Sequence, residues 1–206
     1  MKLSITIAES AAENAPIVLR GSYTENIQKA AQMGYDAVEI HVKDPNTLDI
    51  KEIQKACDKN NIAVSSIGTG MGYGIDGLSF TDPDDDVRER AVKRILDHIS
   101  AAKKLNAKVI IGSMRGTIID TNDRKKYKNY AFECFDKVIN FAEKNNVTIL
   151  NEAINRYETN FINNVEESLE FIKKINSPHL KIHLDTFHMN IEEPDMGKSI
   201  LKAREF

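Results

Sequence analysis

The sequence has few cysteines and lacks any pattern that would pair them. Cys57 and Cys134 are the two present among 206 residues, both fall in helical patterns, and they form no C-x-x-C motif. This usage argues for small buried thiols in a reducing compartment. The first residues, MKLSITIAES, enter an alternating strand pattern without the apolar segment of a signal peptide. No apolar run approaches the ~18 residues of a membrane span, so we expect a cytoplasmic protein without a membrane partner.

The chain also lacks an excess of positive charge. Its 28 lysines and arginines are outnumbered by 31 acidic residues, which gives a formal net charge of -3. Proteins that bind nucleic acids usually carry a basic surface, so this balance argues against a nucleic-acid partner. The one short basic run, residues 124–126, is interpreted as the exposed start of a helix. A chain of this length can form one domain with a full core, or a large domain that lacks a piece.

The strongest pattern in the sequence is a repeated junction between a helix and a strand. Five times an amphipathic helical pattern ends on glycine or asparagine, residues that tolerate the left-handed conformation, and a short β-branched run follows. With a first strand at residues 3–8, this predicts six strands that alternate with helices. Such alternation requires parallel strands, either in an open doubly wound sheet or in a (β/α) barrel. The predicted junctions are Gly34, Asn60-Asn61, Asn106, Asn145-Asn146 and Asn176.

Nucleotide-binding motifs are absent from the loops of this predicted sheet. The first loop lacks G-x-G-x-x-G, and the glycine-rich residues 68–74 are not followed by the Gly-Lys-Ser/Thr of a phosphate-binding loop. We interpret residues 68–74 as a long, mobile loop over a site rather than as a phosphate cradle. In both candidate architectures, that site lies at the carboxyl ends of the strands.

Two acidic residues stand at neighbouring strand ends. Glu152 ends the predicted fifth strand, Asp185 ends the sixth, and His188 follows three residues later. Adjacent parallel strands lie ~4.8 Å apart, so both carboxylates could bind one divalent cation while His188 leans over the same site. The alternative for each acid is a helix N-cap or a solvated loop residue. The loop after Glu152 contains Asn155, Arg156 and Glu158, groups that suit a polyhydroxylated ligand.

The remaining histidines have less specific positions. His183 has the same side-chain parity as Asp185 but lies about 6.6 Å deeper along the strand. We therefore interpret His183 as a packed interior residue rather than a ligand. His41 ends the second predicted strand, where a rim contact and a functional role are equally open. His98 and His179 are assigned no function.

Three segments together resemble a known family. The pattern E-x-x-N-R-Y-E at 152–158, the run DTFHMNIEE at 185–193 and the stretch GLSFTDPDDDVRERAV at 77–92 resemble the sugar isomerase/epimerase group of xylose isomerase-like TIM barrels. That group includes the D-tagatose 3-epimerases, and within it the 5-keto-L-gluconate epimerases are most similar to this sequence. The resemblance extends over nearly the whole chain.

The resemblance implies an α/β fold of the (β/α)8 TIM barrel type with one divalent metal ion, which is Mn, Co, Mg or Zn. Glu152 and Asp185 match two of the four metal ligands of the family. The other two, a histidine after the seventh strand and a glutamate after the eighth, have no counterpart here. The expectation is therefore a single domain over residues 1–206 that lacks the last two β/α units. Six strands would leave two open edges, which could pair with another copy of the chain in a homo-oligomer.

The same resemblance implies an isomerase that epimerises ketoses or keto-uronates at C3 through an enediolate. Glu152 would remove the proton next to the carbonyl group, and His188 would donate a hydrogen bond to the carbonyl oxygen. Glu158 matches a residue that contacts the sugar substrate, Arg156 contacts the substrate or orients Glu158, and Gly68 contributes a wall of the site.

Other functions remain open at this point. Hydroxypyruvate isomerase and inosose dehydratase activities occur on the same scaffold, and a non-catalytic fragment is a further alternative because two metal ligands are missing. An abasic-site endonuclease is disfavoured for two reasons. Its three-metal site needs many more histidine and aspartate ligands, whereas this chain has five histidines, and the net charge of -3 does not suit a DNA-binding surface.

Overall fold

One parallel sheet organises the computed structural model, which describes residues 1–13 and 15–206. Its strands are Ser4–Ala8 (β1), Leu19–Arg20 (β2), Ala37–His41 (β3), Ala63–Gly68 (β4), Lys108–Ile111 (β5), Ile149–Glu152 (β6) and Leu180–His183 (β7). The strand order is β2-β1-β3-β4-β5-β6-β7, and every pairing is parallel. The predicted alternation of parallel strands with helical crossovers is confirmed.

Helices connect the strands and cover the outside of the sheet. They are Tyr23–Gln32 (α1), Ile50–Asn60 (α2), Gly70–Asp76 (α3), Asp85–Leu105 (α4), Arg124–Asn145 (α5), Val165–Ile175 (α6), Thr186–Glu192 (α7) and Met196–Ala203 (α8). Short 3-10 turns occupy Pro45–Thr47, Ser113–Arg115 and Thr121–Asp123. The predicted exposed helix start at residues 124–126 is confirmed, since α5 begins at Arg124.

The sheet contains one strand more than the sequence predicts. The extra strand, β2, is two residues long and pairs with the end of β1 through Ile7–Leu19 and Ala8–Arg20. Two residues are too few to show a periodic pattern, so this strand cannot be recognised from its own residues. Within the described residues, β2 and β7 are the two edges of the sheet, so the barrel is not closed.

The helix-to-strand turns follow the predicted chemistry. Asn61, Asn106, Asn146 and Asn176 have φ values of 50°, 52°, 55° and 55°, and Gly34 has a φ of 86°. Each occupies a turn where a predicted helix gives way to a strand. Asparagine and glycine are the residues that adopt this left-handed conformation at low cost.

The two faces of the sheet have different characters. Ile7, Ile40 and Ile67 pair across β1, β3 and β4 and are fully buried. Their neighbours Thr6 and Glu39 point to the opposite face and line a cavity of about 640 Å³. The isoleucine row therefore packs under the helices, and each such side chain contributes about 1.5–3 kcal/mol by leaving water. The polar face surrounds the cavity.

The predicted position of residues 68–74 at the site is confirmed, since most of them line the cavity, but the prediction of a loop is wrong. These residues enter helix α3, which ends at Gly77 with a φ of 65°. Glycine is a poor helix former, but packing overrides this preference here. A Cβ atom on Gly72 would lie 2.8 Å from the sulfur of Met114, so the glycine permits close contact with the turn after β5. The hydroxyl of Thr69 also donates to the Ile110 carbonyl oxygen at 2.7 Å.

Both cysteines carry free thiols, as predicted. Cys134 is buried and Cys57 is half-buried. Among the described residues, no helix combines the length and the apolar character that crossing a membrane requires.

Candidate metal and substrate site

The two predicted carboxylates lie on adjacent strands at the carboxyl end of the sheet. Glu152 is the last residue of β6 and pairs with His183 of β7, and Asp185 follows two residues beyond His183. Asp185 is also the N-cap of α7, where one carboxylate oxygen accepts the backbone N–H of Phe187 at 2.7 Å. The N-cap alternative is therefore correct for Asp185, but its second oxygen faces His188 at 3.9 Å.

Three side chains converge at this position. One donor atom each from Glu152, Asp185 and His188 lies within 4.8 Å of the other two, and all three side chains are half-buried. Carboxylate oxygens and imidazole nitrogens are both ligands of divalent metal ions. The cluster could therefore hold one metal ion, and it opens on the 640 Å³ cavity that all three residues line.

Glu152 is the electrostatically unusual member of the cluster. Burial and, next, the negative charge of Asp185 raise its pKa to about 7, although His188 and Arg115 act in the opposite direction. A cation between the two carboxylates would relieve both effects. The carboxylate of Glu152 also packs against Gly112, where a Cβ atom would collide with one of its oxygens. Sequence reasoning missed Gly112, since no local pattern marks a contact with a strand 40 positions away.

A second residue missed in the sequence holds the backbone of Glu152. The guanidinium of Arg115 is fully buried and donates to the main-chain carbonyl oxygens of Glu152, Phe161 and Ile162. Ile162 has a φ of 59°, which is strained for a β-branched residue. Arg115 thus ties the end of β6 to the far end of the loop that follows it. The available signal was an arginine flanked by glycines at the end of β5.

The loop after β6 brings two further predicted residues together. The Nδ2 of Asn155 donates to a carboxylate oxygen of Glu158 at 2.8 Å and lies 2.8 Å from the Nδ1 of His188. Glu158 and His188 both line the cavity, and their nearest atoms are 3.8 Å apart. The structure therefore places Glu158 beside His188, on the same side of the cavity.

Arg156 is placed differently. Its guanidinium forms a two-pronged ion pair with Glu192, with N–O distances of 2.9 and 2.7 Å, and its backbone N–H donates to the same carboxylate at 2.6 Å. Arg156 is not among the residues that line the cavity. The observed contacts fasten the loop after β6 to the end of α7.

Gly68 lies on the cavity wall, as expected for a residue that shapes it. A Cβ atom on Gly68 would lie 2.5 Å from the Cε1 of His41, so glycine leaves room for that imidazole. His41 Nε2 is 2.8 Å from a carboxylate oxygen of Glu39, and the other oxygen accepts the Ser66 hydroxyl at 2.8 Å. Burial acts to raise the pKa of Glu39, but these hydrogen bonds bring it below its ordinary value.

The interpretation of His183 as a packed interior residue rather than a ligand is correct in part, since the three-residue cluster found among the described residues does not include it. Its inward direction is correct, but the side chain is 31% exposed and lines the cavity. Its Nε2 lies 3.8 Å from a carboxylate oxygen of Glu152.

Comparison with known proteins places this site in context. The model of the family described as "Xylose isomerase-like TIM barrel" matches residues 27–205. A D-psicose 3-epimerase of Ruminiclostridium cellulolyticum is 30% identical over 89% of this chain and 64% of its own length. A ketose 3-epimerase of Arthrobacter globiformis is 28% identical over 87% of this chain and 62% of its own. The chain thus spans less than two thirds of these curated relatives.

Solved structures show the same fold. The structure of a D-psicose 3-epimerase with D-tagatose, from Clostridium cellulolyticum H10, superimposes with a TM-score of 0.81 at 27% sequence identity. The match covers 100% of this chain and 71% of that protein. The parallel strands and their crossover helices therefore have the arrangement found in that protein.

Proposed function

Because the chain belongs to the xylose isomerase-like TIM barrel family, we propose that its site is that of a divalent-metal-dependent sugar 3-epimerase. The proposed substrates are ketoses or keto sugar acids, in keeping with the names of the ketose 3-epimerase and D-psicose 3-epimerase relatives. The observation that carries the proposal is the convergence of Glu152, Asp185 and His188 within 4.8 Å at the floor of a large cavity.

The donor set fits a metal ion. Glu152 and Asp185 supply two carboxylates, burial and then the charge of Asp185 raise the pKa of Glu152, and a divalent cation stabilises such a pair. In this proposal Glu152 and Asp185 hold the cation. When bound, a divalent cation supplies Lewis acidity, which stabilises negative charge on a carbonyl oxygen.

Glu152 is proposed to take the proton from the carbon next to the carbonyl group. That C–H is a weak acid, so the base must be positioned and must be able to hold a proton near neutral pH. Burial gives Glu152 a pKa of about 7 in the metal-free chain, which suits this task. Transfer of the proton from C3 to Glu152 yields an enediolate, and uptake of a proton from solvent on the opposite face inverts the centre.

The cavity supports a sugar as the ligand. Its volume of about 640 Å³ lies in the range of small-molecule sites. Glu158 and His188 present a carboxylate and an imidazole to it, and Gly68 makes room for the imidazole of His41, which also lines the cavity. We propose that Glu158 accepts hydrogen bonds from sugar hydroxyls and that His188 donates to the carbonyl oxygen. Arg156 is proposed to orient the loop through Glu192.

Solvent isotope exchange tests this proposal. The chain is incubated in D2O with Mn²⁺ and D-psicose or D-fructose, and deuterium at C3 is followed by proton NMR. We expect exchange that disappears in Glu152→Gln and persists in Glu170→Gln, which removes the same charge from an exposed position on α6. Exchange that survives in Glu152→Gln would remove Glu152 from its role. In a parallel incubation with hydroxypyruvate, exchange there and in neither ketose would instead support that alternative isomerase activity.

A further inference from the structure

We propose that Asn155 is a positioning residue that fixes the His188 imidazole in the form with its proton on Nε2. Asn155 is 1% exposed, and its side-chain amide lies between the backbone of its own loop and the side chains of Glu158 and His188. The consequence for catalysis rests on the proposed function, in which His188 donates a hydrogen bond to a sugar oxygen.

The orientation of the Asn155 amide is determined by two groups whose hydrogen-bonding roles cannot change. The backbone N–H of Tyr157 can only donate, and it lies 2.9 Å from Oδ1 of Asn155. The carboxylate of Glu158 accepts, and it lies 2.8 Å from Nδ2. Reversing the amide would place two donors together at Tyr157 and two acceptors together at Glu158. Oδ1 therefore faces Tyr157, and Nδ2 faces the site.

This orientation determines the state of the imidazole. The same Nδ2 lies 2.8 Å from Nδ1 of His188. An amide NH2 group donates two hydrogen bonds and accepts none, so Nδ1 of His188 must be the acceptor. The two acceptors, Glu158 Oε1 and His188 Nδ1, are 3.8 Å apart and so occupy separate positions around Nδ2, where each can take one of the two N–H groups. A neutral imidazole that accepts at Nδ1 carries its proton on Nε2.

The inference assigns different roles within the three-residue cluster. Nε2 of His188 faces Asp185, 3.9 Å from its free carboxylate oxygen. A ring nitrogen that carries a proton cannot coordinate a metal ion, so Glu152 and Asp185 are left as the metal ligands of the cluster. The N–H of Nε2 is then available to donate to an oxygen atom of a bound sugar. Asn155 thereby separates metal binding from substrate binding among residues that all lie within 4.8 Å.

Nitrogen NMR of the histidine rings tests the proposal without any need for catalysis. Long-range ¹H–¹⁵N spectra of the labelled, metal-free chain distinguish a protonated ring nitrogen from an unprotonated one, and His188→Gln identifies the signals of His188. We expect Nε2 to carry the proton and Nδ1 to be unprotonated in the wild-type chain. A wild-type spectrum with the proton on Nδ1 would overturn the proposal, and this outcome requires no variant to fold.

Two aspartate variants separate positioning from general structural support. Asn155→Asp replaces the donor with an acceptor, so Nδ1 of His188 should become protonated. Asn160→Asp makes the same change in the same loop, where the side-chain amide of Asn160 hydrogen-bonds to the backbone of Ile118, at 2.8 and 2.9 Å. This control should leave the His188 spectrum unchanged. An unchanged spectrum in Asn155→Asp, or an equal change in Asn160→Asp, would refute the role of Asn155.

The experiment also separates this inference from the proposed function. A protonated Nε2 in a chain without isotope exchange would support the role of Asn155 and count against the epimerase. A protonated Nδ1 in a chain that exchanges deuterium at C3 would do the reverse.

Discussion

Replacing Arg115 with methionine tests whether a buried cation holds the backbone around Glu152. The guanidinium is fully buried and donates to three main-chain carbonyl oxygens. Burial lowers the pKa of Arg115 to about 10, so the group remains charged at neutral pH. Methionine has a similar length but no donor, so the substitution removes all three hydrogen bonds and keeps much of the packing.

The expected effect of Arg115→Met on stability follows from these contacts. A hydrogen bond from a charged donor contributes about 1.5–3 kcal/mol. The cost of burying the charge offsets part of the three bonds, since a pKa shift of one unit corresponds to about 1.4 kcal/mol. We therefore expect the free energy of unfolding to fall by about 3 kcal/mol. The strained Ile162 should also relax, which would displace Glu152 and weaken Mn²⁺ binding.

Urea denaturation followed by circular dichroism measures the change, and Mn²⁺ titration measures the displacement of the site. Arg124→Met is a matched control, because Arg124 is half-buried and donates to one carbonyl oxygen of the same loop, that of Asn160, at 2.8 Å. We expect the control to lose about 1 kcal/mol or less. Arg115→Lys keeps the positive charge but not the guanidinium with its several donors, so its loss in the free energy of unfolding should lie between those of the other two variants. Equal losses in Arg115→Met and Arg124→Met would refute this reasoning.

Two further substitutions test the buried histidine His98 and the glycine that contacts Glu152. Burial lowers the pKa of His98 to about 4, so only the unfolded chain takes up this proton between pH 6.5 and 4. The free energy of unfolding should therefore fall by up to about 3 kcal/mol as the pH drops through that window. His98→Gln should lack this component, and parallel pH profiles for the wild-type chain and His98→Gln would contradict the prediction. Gly112→Ala should displace the Glu152 carboxylate and weaken Mn²⁺ binding, while Gly74→Ala, with open space at Cβ, should not; equal affinities would contradict it.

The features that the sequence predicted depend on local chemistry or on strand-end geometry. The left-handed turns at Asn61, Asn106 and Asn146 follow from the preference of asparagine for that conformation. The convergence of Glu152 and Asp185 follows from the rule that neighbouring parallel strands present their carboxyl ends at one edge. Both arguments need only the identity of a residue and its place in an element.

The features that the sequence did not reveal depend on contacts between distant segments. Residues 70–76 form helix α3, in which Gly72 packs on Met114, a contact that no local pattern encodes. Gly112 and Arg115 both follow β5. Gly112 contacts the carboxylate of Glu152 and Arg115 donates to its backbone, although Glu152 lies about 40 positions later. Such features require the folded arrangement, because the residues involved are unremarkable in their own segments.

The sharing of one cation by Glu152 and Asp185 is tested most directly by Mn²⁺ titration of the wild-type chain and three variants. Electron paramagnetic resonance gives the free Mn²⁺ at each point, and hence the stoichiometry and the affinity. We expect one site per chain, with an affinity weakened roughly tenfold or more in Glu152→Gln and in Asp185→Asn and unchanged in Glu170→Gln; tenfold corresponds to about 1.4 kcal/mol. Wild-type affinity in either of the first two variants would contradict the shared site.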